Sequence, residues 1–319
     1  MNKQELNASL QFLFDENAQI EIVLYAILKD NNQPLKLDIK GEDLPEIAKM
    51  FIESIHSNIL EKDDFSILPL STADERGKCF YQYDLELPDE LKLLESVIVN
   101  EHNAFSFRTN QIGDIDSLII VIGAGEKEVS ILKKLSPVEV IGRGGYLLGK
   151  SNQRFERFNE QLLRVGSKFQ IIRVNNNLII LDLNAIEKSF GFHDVIKREA
   201  ALGLTAIDNM HIVKDMNSLN SMINNISFAR KLTKIARSSP VINLGISNVE
   251  IIAFSKRHPA TAKMKYSDND TKFDLKSKAL KDLFVKLLND DLLTSELTKM
   301  FYESLAKDDV NNEEIIEAN

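Results

Sequence analysis

The chain has 319 residues, 44% of them hydrophobic and 27% charged, a globular composition with room for about two domains. This excludes collagen-like and wholly disordered readings, and no stretch reaches the ~18 uncharged apolar residues that cross a bilayer. The net charge of −9 argues as a single number against nucleic acid, and the lone Cys79 rules out an internal disulfide or a multi-thiolate zinc site.

The first residues, MNKQELNASLQFLFDENAQIE, carry acids and no small-residue cleavage site, so no secretory signal is read and a cytoplasmic protein is expected. IEIVLYAIL (20–28) is an apolar run rich in β-branched residues and predicts a buried strand. NNQP then turns the chain into LKLDI, its hairpin partner. Ile47, Phe51, Ile55 and Ile59 recur every four residues and predict an amphipathic helix over 44–60. FSILPL and KCFYQYDLEL read as strands. Pro88, with Asp89 and Glu90 behind it, opens a helix, because proline suits the first turn and acids suit the positive end of the dipole.

Between 117 and 183, SLIIVI, VSILKKL, GYLLG, KFQIIRV and LIILDL alternate with Gly and Asn turns, an antiparallel meander. Asn175–Asn177 is a strong hairpin signal, since Asn tolerates positive φ. A helix starts at Asn184, with Ile186 and Phe190 on one face and Gly191 as its stop, and a second runs from about His193 to Asp208. MNSLNSMINNISFARKLTKIAR predicts one long helix with the stripe Leu219, Ile223, Ile226, Leu232 and Ile235. NVEIIAFSKRHP, LKSKALKDLFVKLLND and SELTKMFYESLAK predict three more, and DDVNNEEIIEAN is an acidic, frayed end.

The charge is segregated. Residues 1–110 carry −11, 129–173 carry +6, 213–265 carry +7 and 266–319 carry −6. Two basic blocks are thus embedded in an acidic chain, and a local field of that kind attracts phosphate whatever the total charge. Solvated faces paired with the acidic arms are the alternative. The first block contains Lys133, Lys134, Arg143, Lys150, Arg154, Arg157, Arg164, Lys168 and Arg173. In the second, Arg230, Lys234 and Arg237 fall at i, i+4 and i+7 on one helical face beside Lys231, and Lys256, Arg257, Lys263 and Lys265 come after a turn.

Motifs with chemistry are few. GGYLLGKS (144–151) satisfies the phosphate-loop spacing, in which Lys150 would reach the outer phosphates and Ser151 would hold magnesium. LIILD, ending at Asp182, resembles the acidic strand that assists the metal. Against it, Tyr146, Leu147 and Leu148 are bulky where backbone must approach a ligand, although RFERFNEQLL is placed to be the required helix. GAGEKE (123–128) has Glu where a dinucleotide fingerprint has its third glycine, and two glycines at a hairpin tip explain it better. PDELK (88–92) has the letters of a nuclease motif, but contiguous and at a helix start. His56, His102, His193, His211 and His258 show no zinc spacing. No catalytic residue, cofactor or metal ligand is assigned, and the expected protein is not an enzyme.

SILKKLSPVEVIGRGG, KFQIIRVNNNLIILDLNAIEKSFGFHDVIK and LLNDDLLTSELTKMFYESLAK, in that order, resemble the KwaB-like family of the Kiwa anti-phage defence system. The resemblance spans residues 115–305, about 60% of the chain, and its motifs are structural rather than catalytic. It implies a DNA-binding effector that works with a membrane sensor subunit, KwaA, forms a homodimer and blocks phage DNA replication or late transcription. It also implies recruitment to the inner face of the cell membrane by that partner.

The expected fold is α+β: an N-terminal α/β domain (1–110) and a KwaB-like domain (111–319) made of an antiparallel β-meander (111–183) followed by helices (184–319). The expected DNA contacts are Arg143, Lys150, Arg154, Arg157, Lys168, Arg173, Arg230, Lys231, Lys234, Arg237, Lys256 and Arg257. Without a base-reading motif these would grip phosphates with little sequence preference. An NTPase using Lys150, a nuclease, and an adaptor docking on a membrane partner are the alternatives.

Overall fold

The computed structural model describes residues 1–62, 65–72, 79–141, 147–151, 154–158, 161–187, 191–295 and 297–303. It is α+β, and the chain divides into two compact units, Met1–Pro69 with Lys78–Phe192, and Leu70–Gly77 with His193–Asn319.

The first unit contains α1 (Lys3–Leu10), β1 (Glu21–Leu28), β2 (Asn31–Lys36), α2 (Leu44–Ile55), β3 (Ser66–Pro69), β4 (Cys79–Gln82), α3 (Asp89–Val99), β5 (Ile115–Ala124) and β6 (Lys127–Lys134). It continues with β7 (Val140–Ile141), β8 (Leu147–Ser151), β9 (Arg154–Phe158), β10 (Leu162–Leu163), β11 (Ile171–Val174), β12 (Asn177–Ile180) and α4 (Leu183–Glu187). Eight of these strands form one sheet in the order β2-β1-β5-β6-β11-β12-β4-β3. Every neighbouring pair is antiparallel except β3 with β4. The boundary expected near 110 therefore lies inside this unit, because the N-terminal strands β1–β4 flank the meander strands on both sides.

The sheet explains the apolar runs. Leu118, Ile120 and Ile122 of β5 cluster with Ile22 and Leu24 of β1 and with Leu6, Leu10, Phe51 and Ile55 of α1 and α2. Alternation sends Ile119 and, on β6, Leu132 to the opposite face, and these are fully buried too. A strand covered on both faces reads as a continuous hydrophobic run rather than an alternating one. Asn175 has φ +53 at the β11–β12 turn, a conformation its residue type tolerates.

Three local expectations are corrected. NNQP lies within β2, and the hairpin turn is Lys29–Asp30, with Leu28 opposite Asn31. The long helix breaks at Asn225, whose extended backbone (φ −90°, ψ 105°) lets its side chain accept the Phe228 N–H and cap a new helix. SELTKMFYESLAK is not helical where it is described: Leu292–Thr294 pairs with Phe301–Glu303 as a hairpin, with Lys299 at φ +56 in its turn. The Phe301 ring packs on His258 at 4.9 Å, so tertiary contact overrides the helical spacing there. The frayed end after 303 lies outside the described residues, as does Phe190.

The second unit holds α5 (Phe192–Asn209, its first residue belonging to the first unit), α6 (Asn217–Asn220), α7 (Ile226–Ser238), α8 (Pro240–Asn243), α9 (Asn248–Arg257), β13 (Tyr266–Ser267), β14 (Lys272–Phe273), α10 (Lys278–Leu288), β15 (Leu292–Thr294) and β16 (Phe301–Glu303). Its core includes Phe228, Leu232 and Ile235 of α7 and Phe284 and Leu288 of α10. Leu70–Thr72, from the connection between β3 and β4, packs against α7.

Candidate nucleic-acid interface

The two basic blocks fall in different units. In the first block, Arg143 lies outside the described residues. Lys150 sits on β8, and Arg154 and Arg157 sit on β9. The register places Lys150 opposite Phe155, Arg157 opposite Leu148 and Arg154 opposite Ser151. RFERF is thus a strand, not a helix, and Ser151 ends one arm of an antiparallel hairpin. The phosphate-loop reading needs a helix opening there to aim its N–H groups at phosphate, and the next element, β9, is a strand instead. GAGEKE likewise forms the β5–β6 turn, with Gly125 at φ +62.

Lys168 is exposed in the approach to β11. Its carbonyl accepts a 2.8 Å hydrogen bond from the Nζ of buried Lys133, which also meets Glu139 at 2.8 Å. Burial pushes the Glu139 carboxyl up, but hydrogen bonds from Lys133 and Ser136 outweigh that and hold it below the usual carboxylate range. The pair fixes the Lys168 backbone while its side chain faces solvent. Arg173, on β11, is half-buried and donates to the Asn176 Oδ1 at 3.4 Å.

In the second block, α7 carries Arg230, Lys231, Lys234 and Arg237. Two of these have acidic partners on neighbouring helices. Lys231 meets Asp282 of α10 at 2.9 Å. Arg237 forms a two-pronged bond with buried Glu199 of α5, at 2.9 and 2.8 Å. The charge of Arg237 is largely offset within the i, i+4, i+7 stripe, as is that of Lys231 beside it, so the stripe is a weaker cationic surface than its spacing implies. Lys256, on α9, meets Asp270 at 3.0 Å and lies over the Tyr266 ring at 5.2 Å.

The end of α9 is different. A capping box starts this helix: Ser247 accepts the Glu250 N–H, and Glu250 accepts from the Ser247 N–H and hydroxyl. The two hydrogen bonds from Ser247 hold the Glu250 carboxyl below its ordinary value. His258 ends the helix before Pro259. KRHPATAKMK (256–265) then contains four cations and no acid. Arg257, Lys263 and Lys265 are all exposed, and none forms an ion pair with another described residue. Lys263 and Lys265 stand outside the expected contact set, although the absence of acids around them was legible.

Lys92 donates to Asp89 at 2.8 Å and, by that hydrogen bond, lowers the Asp89 carboxyl, so the PDELK acids serve the first turn of α3. His56 lies against Phe14 and Glu61, and Cys79 is a half-buried residue of β4. Among the described residues no group of three or more His, Cys, Asp or Glu is placed to hold a metal, and no helix is long and apolar enough to cross a membrane.

Fold and surface together define an α+β protein with a largely antiparallel central sheet, a helical second unit and an exposed cationic segment on that unit. The family model described as "Kiwa protein KwaB-like" matches residues 112–298, more than half of the chain, and the chain belongs to that family. It is 27% identical over 316 residues to the Kiwa protein KwaB of Escherichia coli O55:H7 (strain RM12579 / EPEC), covering 97% of this chain and 99% of that protein. No solved structure matches. The matched span begins before β5 and runs into the β15–β16 turn, so it takes in parts of both units.

Proposed function

We propose that this protein is a non-catalytic effector of Kiwa anti-phage defence that grips DNA by its phosphates. Family membership supports the role in Kiwa defence. The observation that carries the DNA reading is the segment 256–265, where Arg257, Lys263 and Lys265 are exposed together without an acid beside them in sequence. Such a cluster releases counterions on meeting a polyanion, and its binding weakens steeply with salt. Lys168 and the bases of the β8–β9 hairpin belong to the same reading on the first unit. With no base-reading motif in the sequence, contact is to backbone, which suits an effector that stalls replication or late transcription on DNA of any sequence. The two nucleotide-type motifs sit in hairpins, which supports a non-catalytic role. A homodimer, recruited to the inner face of the membrane by the KwaA subunit, completes the proposal.

The test is a DNA titration at several salt concentrations, with ATP and magnesium present and the DNA run on a gel afterwards. Salt-sensitive binding, intact DNA and no phosphate release are expected. The triple variant Arg257→Glu, Lys263→Glu, Lys265→Glu, all exposed and none in an ion pair with another described residue, is expected to bind at least ~10-fold more weakly with a shallower salt slope. Cleaved DNA or released phosphate would replace the proposal with an enzyme. Absence of binding at physiological salt would favour an adaptor.

A further inference from the structure

β5 pairs with the full length of β1, from Glu21 opposite Gly123 to Leu28 opposite Ile115. The other edge of β1 is covered only in part. β2 pairs with Tyr25, Ala26 and Leu28, and one further bond, from the Leu37 N–H to the Leu24 carbonyl at 2.8 Å, ends the pairing. That bond sets the parity. Successive residues of a strand turn their backbone groups to opposite edges, so the even-numbered residues of β1 face the β2 side. The N–H and carbonyl of Ile22 therefore point past the end of β2, as does the Leu24 N–H. No described residue bonds to these three groups on that side.

Beside this bare edge lies a groove of about 690 Å³, between β1, Leu37–Ile39 and the first turns of α2. Its lining is mostly apolar: Ile20, Ile22, Leu37, Ile39, Leu44 and Ala48. Its rim is acidic. Glu21 and Asp38 are exposed on it, and the exposed Glu42, Asp43 and Glu46 adjoin the lining residues Gly41, Leu44 and Pro45 in sequence. By the same adjacency the opposing cations are Lys36, Lys40 and Lys49; Lys40 reaches Glu42 and Lys49 reaches Glu53, each at 3.9 Å. Unpaired edge groups along an apolar channel are the two requirements for an added strand: main-chain bonds supply affinity and the channel takes alternate side chains. The excess of carboxylates selects a basic occupant.

We propose that this groove receives an extended segment of a partner protein, apolar at alternate positions and flanked by Lys or Arg, added to the sheet beside Glu21–Leu24. The site shares no lining residue with either basic block, and its test does not depend on DNA binding. A short synthetic peptide with alternating Val and Thr between Lys-Arg flanks is titrated against the full chain by fluorescence anisotropy. Binding is expected, with slowed amide exchange at Ile22 and Leu24. N-methylating one of the two alternate sets of peptide amides is expected to weaken binding about 10-fold or more by removing donors to the edge, while the other set is tolerated. Glu flanks are expected to abolish binding, and the double variant Glu21→Lys, Asp38→Lys to restore it for the Glu-flanked peptide. Three results would overturn the proposal. They are no binding at about 1 mM peptide, equal tolerance of both methylated peptides, or protection of Ile22 that rises with protein concentration alone, which would make a second copy the occupant.

Discussion

At the residue scale, a cation on this surface is defined by what faces it rather than by its place in a stripe. Arg237 and Arg257 are both in the expected contact set and both exposed, yet Arg237 is bound to buried Glu199 while Arg257 forms no ion pair with another described residue. Arg237→Ala leaves a buried carboxylate without its partner and is expected to cost about 2 kcal/mol in urea denaturation. Arg257→Ala is expected to change stability by less than about 0.5 kcal/mol. Equal costs would mean that the Glu199 pair contributes nothing. Glu139 supplies a pH signature. Its folded pKa lies below the ordinary value, so it contributes stability that is present above the ordinary carboxylate range and lost as pH falls through its folded pKa. Glu139→Gln is expected to flatten the acid limb of a stability–pH profile, and an unchanged limb would assign that slope to other carboxylates.

At the element scale, α5 and α7 meet closely at Gly203. A methyl group there would fall on the Leu232 carbonyl, which is backbone and cannot rotate away. Alanine favours a helix over glycine by about 1 kcal/mol, but the clash forces the helices apart, and Gly203→Ala is expected to destabilise by about 2 kcal/mol net. A thermal melt at or above that of the parent chain would show that the crossing yields. The elements that the sequence made legible are those whose pattern is local or complete. The buried strands β5, β6, β11 and β12 read correctly because both of their faces are covered, and α9 and α10 because their caps and stripes agree. The region after Leu292 did not, because Leu297, Phe301 and Tyr302 have helical spacing as well as hairpin propensity. The contact of Phe301 with His258, distant in sequence, decides between them.

At the scale of the whole molecule, the chain crosses between its units more than once. Leu70–Gly77 belongs with 193–319, so β3 and β4, parallel neighbours in the first unit, are joined through a segment of the second. A fragment of residues 193–319 lacks Leu70, which is buried in the intact chain, and its α7 loses the cover of Leu70–Thr72. That fragment is expected to melt without a cooperative transition in near-ultraviolet circular dichroism. A sharp transition like that of the intact protein would show that Leu70–Gly77 is dispensable for the second unit.

From its sequence alone the chain determined its α+β class, the positions of most strands and helices, the segregation of charge and its resemblance to the KwaB-like family. These depend on residue type and spacing over short windows, where burial and capping act locally. Only the tertiary structure decided which cations meet acids, that RFERF pairs back on β8, that strands on both sides of residue 110 share one sheet, and that β1 outlasts β2 and leaves Ile22 at a bare edge. Each of these depends on residues far apart in the chain meeting in space, and no periodicity in one segment encodes the partner it will face.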